Sequence, residues 1–309
     1  MLSGVILAWF VLTALSVAFV AIDIRTTPES PVLKWGFVLV TLFTGPVGAM
    51  LYVLGCREPL ADTHEQYVAA QWRQTLGSTM HCVAGDGVGI LAGAVIGGFL
   101  LLPAPLDITV EYVLGFAFGL GIFQALFMRD MVGGSYPRAL ARSFIPELTS
   151  MNCLMAGMIP VAMILKSRIP GATSPLSPSF WFVMSMALMT GFIAAYPMNW
   201  WLVARRLKHG MLTVRRAAAT NHEGMAGMQQ QSQGAHQMGA MAEHSRHTAP
   251  PVAPTTIRIV IVLSFLIMAA GSQSASLSRK KTPPRFLSRR RWRPARAVAL
   301  RVVSGHLPK

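Results

Sequence analysis

The chain has 309 residues, of which 53% are hydrophobic and only 13% charged, with a mean hydropathy of +0.48. Its apolar residues gather into blocks as long as a bilayer is thick, which excludes a water-soluble globular fold and predicts an all-α, polytopic transmembrane bundle of six to seven spans. The formal charge of +15 is no sign of nucleic-acid binding: 11 of the 27 Lys and Arg lie in residues 279–309, and residues 1–278 carry 16 basic against 12 acidic groups.

Residues 1–58 read as two N-terminal transmembrane helices. Leu2 to Ile22 is uncharged and lacks the basic start of a signal peptide, so it is expected to be a retained span. The second runs from about Trp35 to Leu54, with Gly45 and Pro46 as a kink and Cys56 and Arg57 closing it. Three cysteines in all, at unrelated spacings, make no disulfide framework. From His64 to Leu76 the chain is polar but places Val68, Trp72 and Leu76 four apart, the pattern of a short helix lying among lipid headgroups.

Residues 59–212 form the predicted core domain of four spans. Its first, Ser78 to Leu102, repeats Gly85, Gly89, Gly93 and Gly97 every fourth residue, so one helical face is bare backbone that a neighbour can approach closely. Thr79, His81, Cys82 and Asp86 crowd its first turns. The next span, Ile108 to Met128, carries Glu111 and the small residues Gly115, Gly119 and Gly121, a mate for the glycine row. A span from about Leu148 to Leu165 opens after Glu147 and includes Met151, Asn152, Cys153, Met155 and Met158; the last, Phe180 to Val203, ends in Asn199 and the interfacial anchors Trp200 and Trp201.

Loop charges set the expected orientation. With the N-terminus in the cytoplasm, 11 Lys and Arg face inward and four, Arg25, Lys34, Lys166 and Arg168, face out, which predicts an inner-membrane protein with a cytoplasmic N-terminus. Span parity then puts Cys56, His81, Cys82, Asp86, Glu147, Cys153 and Asn199 toward one face and Glu111 toward the other, so Asp86 and Glu111 are not expected to form a catalytic pair. His81, Cys82, Asp86, Cys153 and Asn199 are the membrane-embedded candidates, because ionisable groups within a bilayer are costly and tend to be functional. The competing reading is structural, with cysteines and methionines as core filler.

Residues 213–256 read as a disordered loop rich in His and Met. Between Asn221 and His247 it holds His222, Met225, Met228, His236, Met238, Met241, His244 and His247 on a Gly- and Gln-rich background. Thioether and imidazole together suit a soft ion, copper(I) above all; imidazole alone would also take zinc, nickel or cobalt. A polar linker with incidental methionines is the alternative. Ile259 to Gly271 is only 13 residues of largely apolar sequence, so residues 257–271 read as a truncated seventh span, and the basic tail 272–309 as the product of an altered reading frame or a lipid-bound interfacial segment.

Four runs, Thr79 to Ile90, Glu111 to Tyr136, Phe144 to Val161 and Ala195 to Met211, resemble a family of bacterial multi-pass membrane proteins, domain of unknown function 4396. The resemblance implies an integral membrane protein and carries no activity. Three functions are therefore expected in turn: soft-metal binding through the loop, with handling or sensing at the membrane face; transport of another solute along Asp86 and Asn199; or a structural role, docking a membrane partner or a second copy through the glycine row. No nucleophile and base, phosphate loop or fixed metal motif is present, so an enzyme is not expected.

Overall fold

A computed structural model describes residues 2–60, 63–126, 134–210 and 252–281, whose regular elements are all helices. The elements in order are α1 (Leu2–Asp23), α2 (Pro31–Thr44), α3 (Pro46–Gly55), the short α4 (His64–Val68), α5 (Gln71–Leu100), α6 (Ala104–Phe118) continued by a π-helical turn (Gly119–Gln124), α7 (Tyr136–Arg168), α8 (Pro178–Ala204) and α9 (Pro254–Lys281). Among the described residues, six helices are long and apolar enough to cross a membrane: α1, α5, α6 with its π-turn, α7, α8, and Pro254–Gln273 of α9.

The expected second span is absent from that set. Gly45 is not a kink but a reversal. A single element from Pro31 to Gly55 would separate its ends by roughly 36 Å at 1.5 Å per residue, yet the Cys56 thiol, the Glu29 carboxylate and the His64 ring lie within 4.8 Å of one another. The Tyr52 hydroxyl lies 2.9 Å from Thr27 Oγ1 and donates to Asp23 Oδ2 at 2.8 Å, and its ring packs on Phe37. Gly45 takes φ 59° and ψ −134°, a conformation that only glycine adopts freely, and Pro46 starts the return helix without needing a backbone N–H. Thus α2 and α3 form a re-entrant hairpin that enters and leaves by one face, its tip buried against Trp9 and Thr13 of α1. Irregular backbone at membrane depth is tolerated where protein surrounds it. Here Ser185 Oγ donates to the Phe43 carbonyl and receives Trp9 Nε1–H at 3.2 Å, so α1, α8 and the hairpin tip share one hydrogen-bonded knot.

The apolar segment near the C-terminus differs from its expectation in the opposite sense. Thr255, Thr256 and Arg258 before it, and Ser272 and Gln273 after it, continue the helix, so α9 reaches spanning length although its apolar centre is short. It lies along α7, where Asn152 Nδ2 donates to Ser264 Oγ at 3.0 Å and Gly271 sits on the Ala156 backbone. The predicted headgroup helix is also shorter than expected. It ends at Val68, and Trp72 and Leu76 belong to the first turns of α5.

The glycine row of α5 faces α6. A Cβ on Gly89 would meet Leu114 and Gly115, one on Gly93 the Glu111 backbone at 2.7 Å, one on Gly85 the Gly119 Cα at 2.9 Å, and one on Gly97 the Asp107 carboxylate. This close contact fixes how α6 and its π-turn meet the polar turns of α5.

A buried carboxylate, thiol and lysine cluster

Three helices and the turn after α8 converge on one polar pocket. From α5 come Cys82 and Asp86, one helical turn apart and therefore on one face. From α7 comes Glu147, directly after Pro146, with Ser150 a turn further on. α8 supplies Asn199, and Lys208 reaches in from the turn beyond it. Cys82, Asp86, Glu147, Ser150 and Asn199 are each fully buried, and the Lys208 side chain is 4% exposed.

The Cys82 sulfur lies 3.2 Å from Glu147 Oε1, 3.4 Å from Asp86 Oδ2 and 3.2 Å from Ser150 Oγ. Asn199 Nδ2 donates to Ser150 Oγ at 2.8 Å and to the Ala195 carbonyl at 3.1 Å. Lys208 Nζ donates to Glu147 Oε2 at 3.2 Å. Burial works against the Lys208 ammonium, but the charges at Cys82, Glu147 and Asp86 outweigh it and hold its pKa above the usual lysine range. Gly119 opens the π-turn exactly where a side chain would strike both carboxylates: a Cβ there would fall on Asp86 and lie 2.8 Å from Glu147 Oε1. The wide turn and the missing side chain together make room for the pair.

Sequence reasoning named Cys82, Asp86 and Asn199, and the fold brings these three together. His81 lies beside the cluster, edge-on to Phe123 at 5.6 Å between ring centroids, and lines a small recess with Ser78, Gln124 and His209. Cys153 is a buried free thiol on α7 that, among the described residues, joins no group of closely spaced metal-ligating atoms. Glu147 was expected on the same face as these residues, with no role given to it. Ser150 and Lys208 were not singled out; Lys208 lies past the last apolar residue of its span, where hydropathy gives no sign of a buried charge. Glu111 sits far from Asp86 along α6, with its carboxylate 3.6 Å from Lys166 Nζ. His222, Met225, Met228, His236, Met238, Met241, His244 and His247 lie outside the described residues.

These features define a polytopic helical membrane protein with an ionisable cluster buried in its bundle. Residues 71–208 match the family model described as Domain of unknown function (DUF4396), and every member of the cluster lies within them. No curated protein and no solved structure matches the chain.

Proposed function

We propose that this protein binds a single soft metal ion, copper(I) by preference, at Cys82, Asp86 and Glu147, and passes or senses it at the face that carries Lys208. The observation that carries this reading is the meeting of a thiol and two carboxylates within 4.8 Å inside a transmembrane bundle. Charge arithmetic sharpens it. When Cys82 gives its proton to a neighbouring carboxylate and binds as a thiolate, three negative groups face one ammonium. Neutrality then leaves room for two positive charges, that proton and a copper(I) ion held by the soft sulfur donor. The loop from Asn221 to His247 begins shortly after Lys208 and serves as the collecting segment. Lys208 then acts as a resident counter-ion that keeps Glu147 paired while the site waits.

A proton can fill the same charge deficit, which supports the second reading of a proton-linked solute path through Asp86 and Asn199. Among the described residues, Asp86 Oδ1 and Asn199 Oδ1 have no hydrogen-bond partner, as a path-lining pair requires.

The hairpin also alters the expected orientation. With one crossing rather than two before Arg57, thirteen Lys and Arg, namely the 11 counted earlier plus Arg25 and Lys34, share one face against Lys166 and Arg168 on the other. The positive-inside rule then supports a reading in which the cluster faces the cytoplasm of an inner membrane and the N-terminus lies outside.

The test is elemental analysis of detergent-purified protein from copper-supplemented cells, comparing the full chain with Cys82→Ser, Asp86→Asn and a deletion of residues 221–247. About one copper per chain that is lost in Cys82→Ser supports the reading. Copper at background in the full chain refutes it, and proton flux in proteoliposomes that stops with Asp86→Asn would put the second reading in its place.

A further inference from the structure

A second cluster lies at the mouth of the hairpin, before the start of the matched domain. Glu29 comes from the turn between α1 and α2, Cys56 caps α3, and His64 opens α4. Their ligating atoms lie within 4.8 Å of one another. The Glu29 and His64 side chains are 0% and 3% exposed, and Cys56 is fully buried. His64 Nε2 lies 2.9 Å from Glu29 Oε1, while among the described residues Glu29 Oε2 and His64 Nδ1 are buried without a hydrogen-bond partner. A native fold leaves few such groups unsatisfied, and each that it does leave calls for a missing partner.

We infer that Glu29, Cys56 and His64 form a structural zinc site that clips the base of the re-entrant hairpin. Thiolate, imidazole and carboxylate are all zinc donors, and a site closed to solvent suits a structural rather than a catalytic ion. A thiolate and a carboxylate carry two negative charges, which one divalent cation cancels, so the filled site is neutral where the empty one holds an unmatched carboxylate oxygen. Glu58, two residues past Cys56, carries another buried oxygen, Oε2, without a partner among the described residues, but it lies outside the 4.8 Å group. The location explains the demand. Two short helices that turn back at mid-membrane have their free ends here, and a metal that joins the turn before α2 to the cap of α3 and the start of α4 closes the hairpin as a disulfide would, without needing an oxidising compartment.

This inference is independent of the copper reading, and cobalt(II) separates the two. The full chain, purified in detergent and stripped with chelator, is titrated with Co2+ alone while thiolate-to-cobalt charge transfer is followed in the near-ultraviolet. The expected result is a charge-transfer band at one equivalent that persists in Cys82→Ser, disappears in Cys56→Ser, and is displaced by Zn2+. His64→Gln keeps a donor for Glu29 Oε1, so it should stay monodisperse on gel filtration yet raise the Co2+ dissociation constant by at least about 100-fold. A band that follows Cys82 instead of Cys56, an unaltered titration in His64→Gln, or no thiolate band in the full chain overturns the site.

Discussion

Replacing Lys208 with methionine keeps most of the side-chain volume and removes the ammonium that faces Glu147. The gross attraction at 3.2 Å is about 5 kcal/mol at an effective dielectric constant of ~20. Removing one partner of a buried pair costs about 3–5 kcal/mol, because the other charge stays behind undissolved. At about 2–4 °C per kcal/mol for a chain of this size, the midpoint of thermal unfolding in detergent should fall by roughly 6–20 °C. Glu147→Gln on the Lys208→Met background should recover much of the loss, and a double-mutant cycle gives the coupling directly. The pH dependence follows from the raised pKa of Lys208. Its contribution is complete below the unfolded lysine pKa of about 10.4 and fades only as pH rises through the higher folded value, so the deficit should stay level from pH 7 to about 10. A Lys208→Met protein within about 1 kcal/mol of the parent, or a double variant no better than the single, refutes the pairing argument.

Three further outcomes follow from the geometry. Cysteines introduced at Thr26 and Pro59 should react with a membrane-impermeant maleimide from the same side of right-side-out or inverted vesicles; labelling from opposite sides would mean that α2 and α3 cross the bilayer. Gly119→Ala forces a methyl onto Asp86 and Glu147 and should cost about 1–3 kcal/mol as an overpacked site, whereas at Gly121 the nearest atom is the Tyr136 hydroxyl at 3.6 Å and alanine should be nearly neutral; equal midpoints for the two variants would contradict this. Burial first, and then Arg142, hold the His209 pKa below its usual value. The stability this gives is present above about pH 6.5 and is lost as pH falls through the folded value, so proteolysis near Arg206 should rise as pH falls below about 6.5 and lose that dependence in His209→Gln.

The spans were legible in the sequence because the bilayer imposes a length on apolar segments. The hairpin was not. A stretch of about twenty largely apolar residues with Gly45 and Pro46 at its middle has the same composition whether the chain bends or doubles back, and contacts between its ends, such as the pairing of Tyr52 with Asp23 and Thr27, distinguish the two. α9 escaped for the complementary reason, since helix propensity and its packing on α7 extend it past its apolar centre. Within the cluster, Cys82, Asp86 and Asn199 stood out as polar residues in apolar surroundings, a contrast that Lys208 lacks in its polar neighbourhood. Glu29, Cys56 and His64 belong to three different segments, and no spacing rule joins ligands that meet only when the chain reverses.

That reversal also separates two properties that membrane sequences usually tie together, the amount of apolar chain and the side on which the following residue emerges. An element that returns to its own side makes no net crossing. It can be lengthened, shortened or exchanged without inverting anything downstream, and among the described residues before position 71, α1 is the helix of spanning length. The hairpin is thus free to change while the matched domain keeps its bearing in the bilayer.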